Sequence, residues 1–166
     1  HIGRDGRLTI WPVKIERVPR RWRDRAEGDR TMSRVVPEAP LVAWLRAHPA
    51  DVVVRSELSE AYLEALSHAL GSDYRYRELH PKDSPFGIGI VSRLPLLGAS
   101  VIEDADGIQT LATEVRLGAH AVRIVAAHPM PPHAREWHDR RDALLRSIAR
   151  DSDIPLILAG DLNATP

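Results

Sequence analysis

The sequence predicts an α/β (α+β) fold, in which layered sheets carry helices on their outer faces. Three observations predict it. "DVVV" (51–54) and "IPLILAG" (154–160) are continuous apolar runs of the kind that strands buried on both faces require. Two stretches, 59–70 and 135–150, repeat their apolar residues at helical spacing. Between those stretches lies a block of short alternating segments punctuated by turn residues, the mark of mainly antiparallel strands.

Taken in order, residues 1–36 form a poorly defined, Arg-rich lead-in. "VPRRWRDRAEGDR" has no sustained apolar period, and in "LTIWPVKI" (8–15) Pro12 permits only an edge or broken strand. From Pro37 the pattern sharpens. "PEAPLVAWLRAH" groups Leu41, Val42, Trp44 and Leu45 into a short helix opening at a proline. After "DVVV", "SEAYLEALSHAL" places Tyr62, Leu63, Leu66 and Leu70 on one helical stripe, with Ser59 as N-cap and Gly71 past the end. Strands follow at "YRYREL", "GIGIVS", "GASVIE", "TLATEVRL" and "AVRIVAA", the last two joined by an "LGAH" hairpin turn. "REWHDRRDALLRSIAR" is the second helix, with Trp137, Leu144, Leu145 and Ile148 on one side and arginines opposite. Residues 37–166 thus read as one domain.

Bulk properties exclude several classes of function. At 166 residues, 28% charged and 43% hydrophobic, the chain is globular and large enough for a core. Zero formal net charge gives no global pull toward nucleic acid or anionic membrane, so an anionic ligand must be held by local groups. With no cysteine there is no disulfide, thiolate nucleophile or Cys-based zinc site. No apolar run is long enough to span a bilayer, and no leader pattern is seen; the chain reads as a monomer whose compartment stays open.

Three strands end in polar residues: "DVVVRSE" in Glu57, "VRIVAAH" in His128 and "LILAGD" in Asp161, with Asn163 two residues on. Layered folds place their sites at strand ends, because the sheet fixes the backbone while the loop exposes the side chain. Singly, each has an ordinary reading. A glutamate after a strand is often a solvated charge, a lone histidine a satisfied core or surface residue, and an aspartate after glycine a turn former. Together they assemble a carboxylate suited to a hard cation, an imidazole and an acid–amide pair. His128, His133 and His138 recur every five residues; on a helix that spacing scatters the rings, so a zinc site is not expected. Arg93 in "SRLP" could help hold an anion, but a structural turn role is the expectation.

Four segments resemble one family in its own order. "GDLNATP" resembles the G-D-[FL]-N-x-x-P motif of the endonuclease/exonuclease/phosphatase superfamily, the DNase I-like metal-dependent phosphoesterases. "ADVVVRSELSEAY" is similar to the family strand that ends in a metal-binding glutamate, and "GIGIVSRLPL" to its G-x-x-x-x-S-[RK]-x-P-[IL] strand and turn. "RIVAAHPMPP" is similar to the strand ending in a site histidine, followed in one bacterial branch by a Pro-rich loop. The resemblance implies a DNase I-like sandwich of two packed, mainly antiparallel sheets with outer helices. It implies that Glu57 binds Mg²⁺ or Mn²⁺ and that Asp161 orients or deprotonates the attacking water. It also implies that Asn163 donates its amide to a phosphate oxygen and that His128 contacts the phosphate or leaving-group side. The implied substrate is a phosphoester: nucleic acid, phospholipid or a small phosphate ester.

Two departures from the family shape the expectation. "RLTIWPVKI" has no asparagine where the family's first strand carries a ligand, and no late S-D-H-like pair occurs in the 166 residues. The chain is therefore expected to be a partial domain, incomplete at its C-terminus and with little or no activity by itself. The alternative is a non-catalytic binding module that keeps the scaffold.

Overall fold

The computed structural model describes residues 50–150 and 152–164, together with Leu45 and Ala47. The lead-in over 1–36, and Leu41, Val42 and Trp44 of the first expected helix, lie outside the described residues. Leu45 and Ala47 are helical, as expected. The order is then β1 (Val52–Ser56), α1 (Glu60–Leu70), β2 (Tyr76–His80), β3 (Ile88–Ser92), β4 (Leu97–Glu103), β5 (Gln109–Leu117), β6 (His120–Ala127), α2 (Arg135–Arg150) and β7 (Leu156–Ala159).

The described strands form two sheets, ordered β1-β3-β2 and β4-β5-β6-β7. All pairings are antiparallel except β6 with β7, which run parallel with Ala126 opposite Ala159. The period of two along a strand sorts its side chains between two cores. Val52 and Val54 of β1 join Ile88 and Ile90 of β3 and Leu111, Val115, Val122 and Ile124 of the second sheet in one apolar cluster. The intervening Val53 and Val91 turn the other way, toward Leu58, Tyr62, Leu66 and Leu70 at and along α1. Truncating Ile88 or Ile90, both fully buried, to alanine is of the kind that costs about 2–5 kcal/mol.

Helix α1 starts where the sequence placed it. The Tyr62 N–H donates to Ser59 Oγ at 3.2 Å, satisfying one of the free first-turn donors. Gly71 ends the helix at φ 55°. Among the described residues, no helix is long and apolar enough to cross a membrane. Strand β4 is exposed along its whole length, with Ile102 at 71%.

Lys82 fastens the β4–β5 turn to the loop between β2 and β3, and Arg140 of α2 pairs with Asp106 in the same turn. Lys82 Nζ donates to Glu103 Oε2 and to the Gly107 carbonyl, both at 2.7 Å, while its backbone N–H donates to the Leu58 carbonyl. The Lys82 hydrogen bond is the main cause that holds the Glu103 carboxyl below its ordinary value of 4.5, against partial desolvation that raises it. A depressed folded-state pKa stabilises the fold above the unfolded value and loses that contribution as pH falls through the lowered one. Urea midpoints of the wild type are therefore expected to decline as pH drops below 4.5, and Glu103→Gln to flatten part of that decline. Identical pH profiles for the two proteins would count against this fastening.

Candidate active site

The C-terminal ends of β1, β6 and β7 meet at one end of the sandwich. Parallel pairing of β6 and β7 brings the loop at His128 beside the loop at Asp161. From there the Asp161 N–H donates to Ser56 Oγ, at 3.4 Å, across 105 residues of sequence. Ser56 is the last residue of β1 and directly precedes Glu57.

Glu57 and Asn163 are the two non-glycine residues with positive φ among the described residues, at 57° and 48°. Left-handed backbone is disfavoured for residues with a Cβ, costs on the order of 1–3 kcal/mol, and clusters where a site must hold a side chain in place. Asparagine tolerates the conformation better than glutamate does. Both strained positions fall on residues singled out from the sequence. Leu58, next to Glu57, is locked by its N–H to the Gly87 carbonyl and by its carbonyl to the Lys82 N–H, both at 3.0 Å. The strand end that carries Glu57 is thereby clamped at two points by the loop between β2 and β3, while Glu57 itself is exposed.

The Asp161–Asn163 segment folds on itself. Asp161 Oδ1 accepts the Asn163 N–H at 3.1 Å, so the aspartate is a turn former as well as an exposed carboxylate. Asn163 Nδ2 donates to the Pro129 carbonyl at 2.7 Å, tying the segment to the residue after His128. One amide N–H of Asn163 is thus committed to the scaffold. The amide has two, so a second remains for a ligand.

His128 is only 5% exposed. Its Nδ1 faces the Pro85 carbonyl at 3.2 Å, and its ring lies 5.9 Å from the ring of Phe86 at a tilt of 48°. A carbonyl can only accept, so Nδ1 carries the proton. Nε2 of the neutral ring is then an acceptor, and His128 donates from Nε2 only as the imidazolium.

One residue escaped the sequence reading. Arg141 of α2 is 9% exposed and donates from Nη1 to the Asn163 carbonyl at 2.9 Å. The expectation that the α2 arginines all lie opposite the apolar stripe is corrected here. Arg141 stands four residues after Trp137 and three and four before Leu144 and Leu145, on that stripe. A charged residue at an apolar-face position was the available signal. Arg93 sits elsewhere, at the far end of β3. Its N–H donates to the Asp51 carbonyl at 2.9 Å and its guanidinium lies 5.2 Å from the Tyr74 ring, a structural role as expected.

Among the described residues no group of three His, Cys, Asp or Glu side chains could hold a metal ion by itself. His133 and His138 accordingly belong to no such group. The donor set at the β1 and β7 ends nevertheless suits one class of ion. Mg²⁺ keeps several waters and takes one or two carboxylates plus substrate phosphate oxygens, not an all-protein cage. Two exposed carboxylates, Glu57 and Asp161, on loops joined through Ser56 meet that demand.

The sequence matches the Endonuclease/Exonuclease/phosphatase family over residues 28–166. Comparison with curated proteins by sequence finds no significant match. Among solved structures, TDP2 of D. rerio, complexed with single strand DNA product, aligns with TM-score 0.65 and 20% identity, over 76% of this chain and 53% of that one. ANGEL2, a 2′,3′-cyclic phosphatase in complex with adenosine-2′,3′-vanadate, aligns with TM-score 0.65 and 20% identity, over 87% and 50%. Sphingomyelinase C from Streptomyces griseocarneus aligns with TM-score 0.53 and 19% identity, over 74% and 56%. At these identities the likeness establishes the fold: an α/β sandwich of two mainly antiparallel sheets of the DNase I-like kind. The chain spans about half the length of these structures.

Proposed function

The chain belongs to the Endonuclease/Exonuclease/phosphatase family, and from that premise we propose that its protein is a divalent-metal-dependent phosphoesterase with Glu57, His128, Asp161 and Asn163 at its working edge. The observation that carries this reading is the placement of the two left-handed residues, Glu57 and Asn163, on strand-end loops bridged by the Asp161-to-Ser56 hydrogen bond.

Mg²⁺ or Mn²⁺ held at the Glu57 carboxylate would supply charge neutralisation for a phosphoryl group. Asp161 is assigned the attacking water: its carboxylate accepts the water proton as the new P–O bond forms and the old one breaks. Asn163 is assigned a non-bridging phosphate oxygen, through the N–H not used by Pro129. His128 is assigned the phosphate or leaving-group side; protonated at Nε2, it donates there. The substrate class is a phosphodiester or phosphomonoester. Among the similar structures are a DNA product complex, a cyclic phosphatase complex and a sphingomyelinase, so nucleic acid, phospholipid and small phosphate esters all belong in the test.

A second reading is a binding module that retained the scaffold. The burial of His128 against the Pro85 carbonyl favours it, since a ring so placed also serves purely to pack a loop. The two readings separate on a substrate panel: bis-p-nitrophenyl phosphate, a single-stranded oligonucleotide and sphingomyelin, with Mg²⁺, Mn²⁺ or chelator. The whole protein is expected to turn over at least one of them, to stop in chelator, and to lose about 10²-fold or more with Glu57→Gln. Turnover insensitive to both changes would remove the proposal; binding without turnover would favour the module.

A further inference from the structure

We propose that Arg141 is a positioning residue: its guanidinium holds Asn163 in its left-handed backbone and so fixes the orientation of the Asp161 carboxylate. The inference rests on the phosphoesterase reading and extends it to a residue on α2, outside the strand ends. Three contacts pin Asn163 from three sides. Its N–H donates to Asp161 Oδ1, its side chain donates to the Pro129 carbonyl, and its own carbonyl accepts from Arg141 Nη1 at 2.9 Å. The first two lie within the loops themselves. Arg141 is the contact that ties the segment to a helix.

The arginine is built for this role. At 9% exposure, a guanidinium must have its donors satisfied, because a buried charge without partners is strongly disfavoured. Its Nε and Nη2 both reach Asp142 Oδ1, at 3.1 and 2.7 Å, which orients the fork and leaves Nη1 for Asn163. Asp142 in turn lies 3.5 Å from Arg146 and 3.9 Å from His138. The hydrogen bond from Arg141 is the main cause that holds the Asp142 carboxyl below its ordinary value, against desolvation that raises it. Lysine reproduces the arrangement only in part, because an ammonium lacks the rigid planar fork that fixes one donor on Asn163 while the others hold Asp142.

Without Arg141, Asn163 keeps only its two loop contacts and is expected to drift from φ 48° toward a more populated region. Because its N–H is bonded to Asp161 Oδ1, that movement turns the carboxylate. Misplacement of a reacting group by about 1 Å costs on the order of 10²-fold.

The test compares wild type, Arg141→Met, Arg141→Lys and Asp142→Asn in the whole protein by two measurements. Amide hydrogen exchange at Asn163 is expected to be at least tenfold faster in Arg141→Met, less so in Arg141→Lys and Asp142→Asn, with exchange at Val125 in β6 unchanged. On a substrate that the wild type hydrolyses, kcat is expected to fall about 10–100-fold in Arg141→Met with KM within about threefold, and Arg141→Lys to recover part of it. If Arg141→Met does not fold, Asp142→Asn carries the same test, since its amide oxygen still accepts from the guanidinium but holds it less firmly than a carboxylate does. Unchanged exchange at Asn163 in the folded variants, or a loss confined to KM, overturns the proposal. If the wild type hydrolyses no phosphoester, the hydrolase reading fails, and the exchange measurement alone then decides whether Arg141 holds the loop.

Discussion

Replacing Asp161 by alanine is expected to lower kcat for phosphoester hydrolysis by about 10²–10⁴-fold, the range for losing a positioned general base. The carboxylate is exposed, one of its oxygens is held by the Asn163 N–H, and its backbone is held by Ser56 Oγ. Asp161→Asn keeps an oxygen to accept the Asn163 N–H but cannot take a proton from water, so it is expected to fold normally and to be nearly as inactive. A steady-state assay of both variants separates chemistry from turn formation. If Asp161→Asn retained wild-type kcat, Asp161 would be the turn former alone, and the working group would have to be sought elsewhere.

A large expected effect on stability belongs to the residue just before it. Gly160 has φ 130°, a conformation that residues with a Cβ rarely adopt, and an added Cβ would lie 2.0 Å from the Ala127 carbonyl oxygen. That oxygen is backbone at the end of β6, where the parallel pairing with β7 leaves little room to yield. Gly160→Ala is therefore expected to cost about 3–5 kcal/mol, among the largest effects of single substitutions, and to lower Tm on the order of 10 °C. Gly71→Ala is the control. Gly71 also has positive φ, yet nothing lies within 4 Å of its would-be Cβ, so the cost is expected to be about 1 kcal/mol. Urea unfolding of the two variants beside wild type checks the contrast. Equal costs at the two positions would mean that the junction of β6 and β7 is looser than its geometry.

The strands and helices were legible in the sequence because their signals are local. The β-branched run at 52–54, the Ser59 cap and Gly71 stop of α1, and the alternation in "TLATEVRL" each specify structure within a dozen residues. The strand-end positions of Glu57, His128 and Asp161 were legible for the same reason. What joins them was not. The Asp161-to-Ser56 hydrogen bond spans 105 residues and the Asn163-to-Pro129 bond 34, and no period in the sequence encodes such closures. Two other features were hidden by an ordinary reading. The backbone strain at Glu57 follows from the clamp on Leu58, formed by residues 82 and 87. Arg141 was grouped with the solvent-facing arginines of α2, although its spacing from Trp137 and Leu145 sets it on the inner stripe.

The assignment of Asp161 to the attacking water depends on its carboxylate facing the cation that Glu57 is proposed to hold. Anomalous X-ray scattering from crystals of the whole protein soaked in Mn²⁺ tests this most directly. The expected result is one strong peak on the order of 2 Å from a Glu57 carboxylate oxygen, with the Asp161 carboxylate turned toward the same space. A peak held by other carboxylates, with Glu57 and Asp161 directed away from each other, would contradict it.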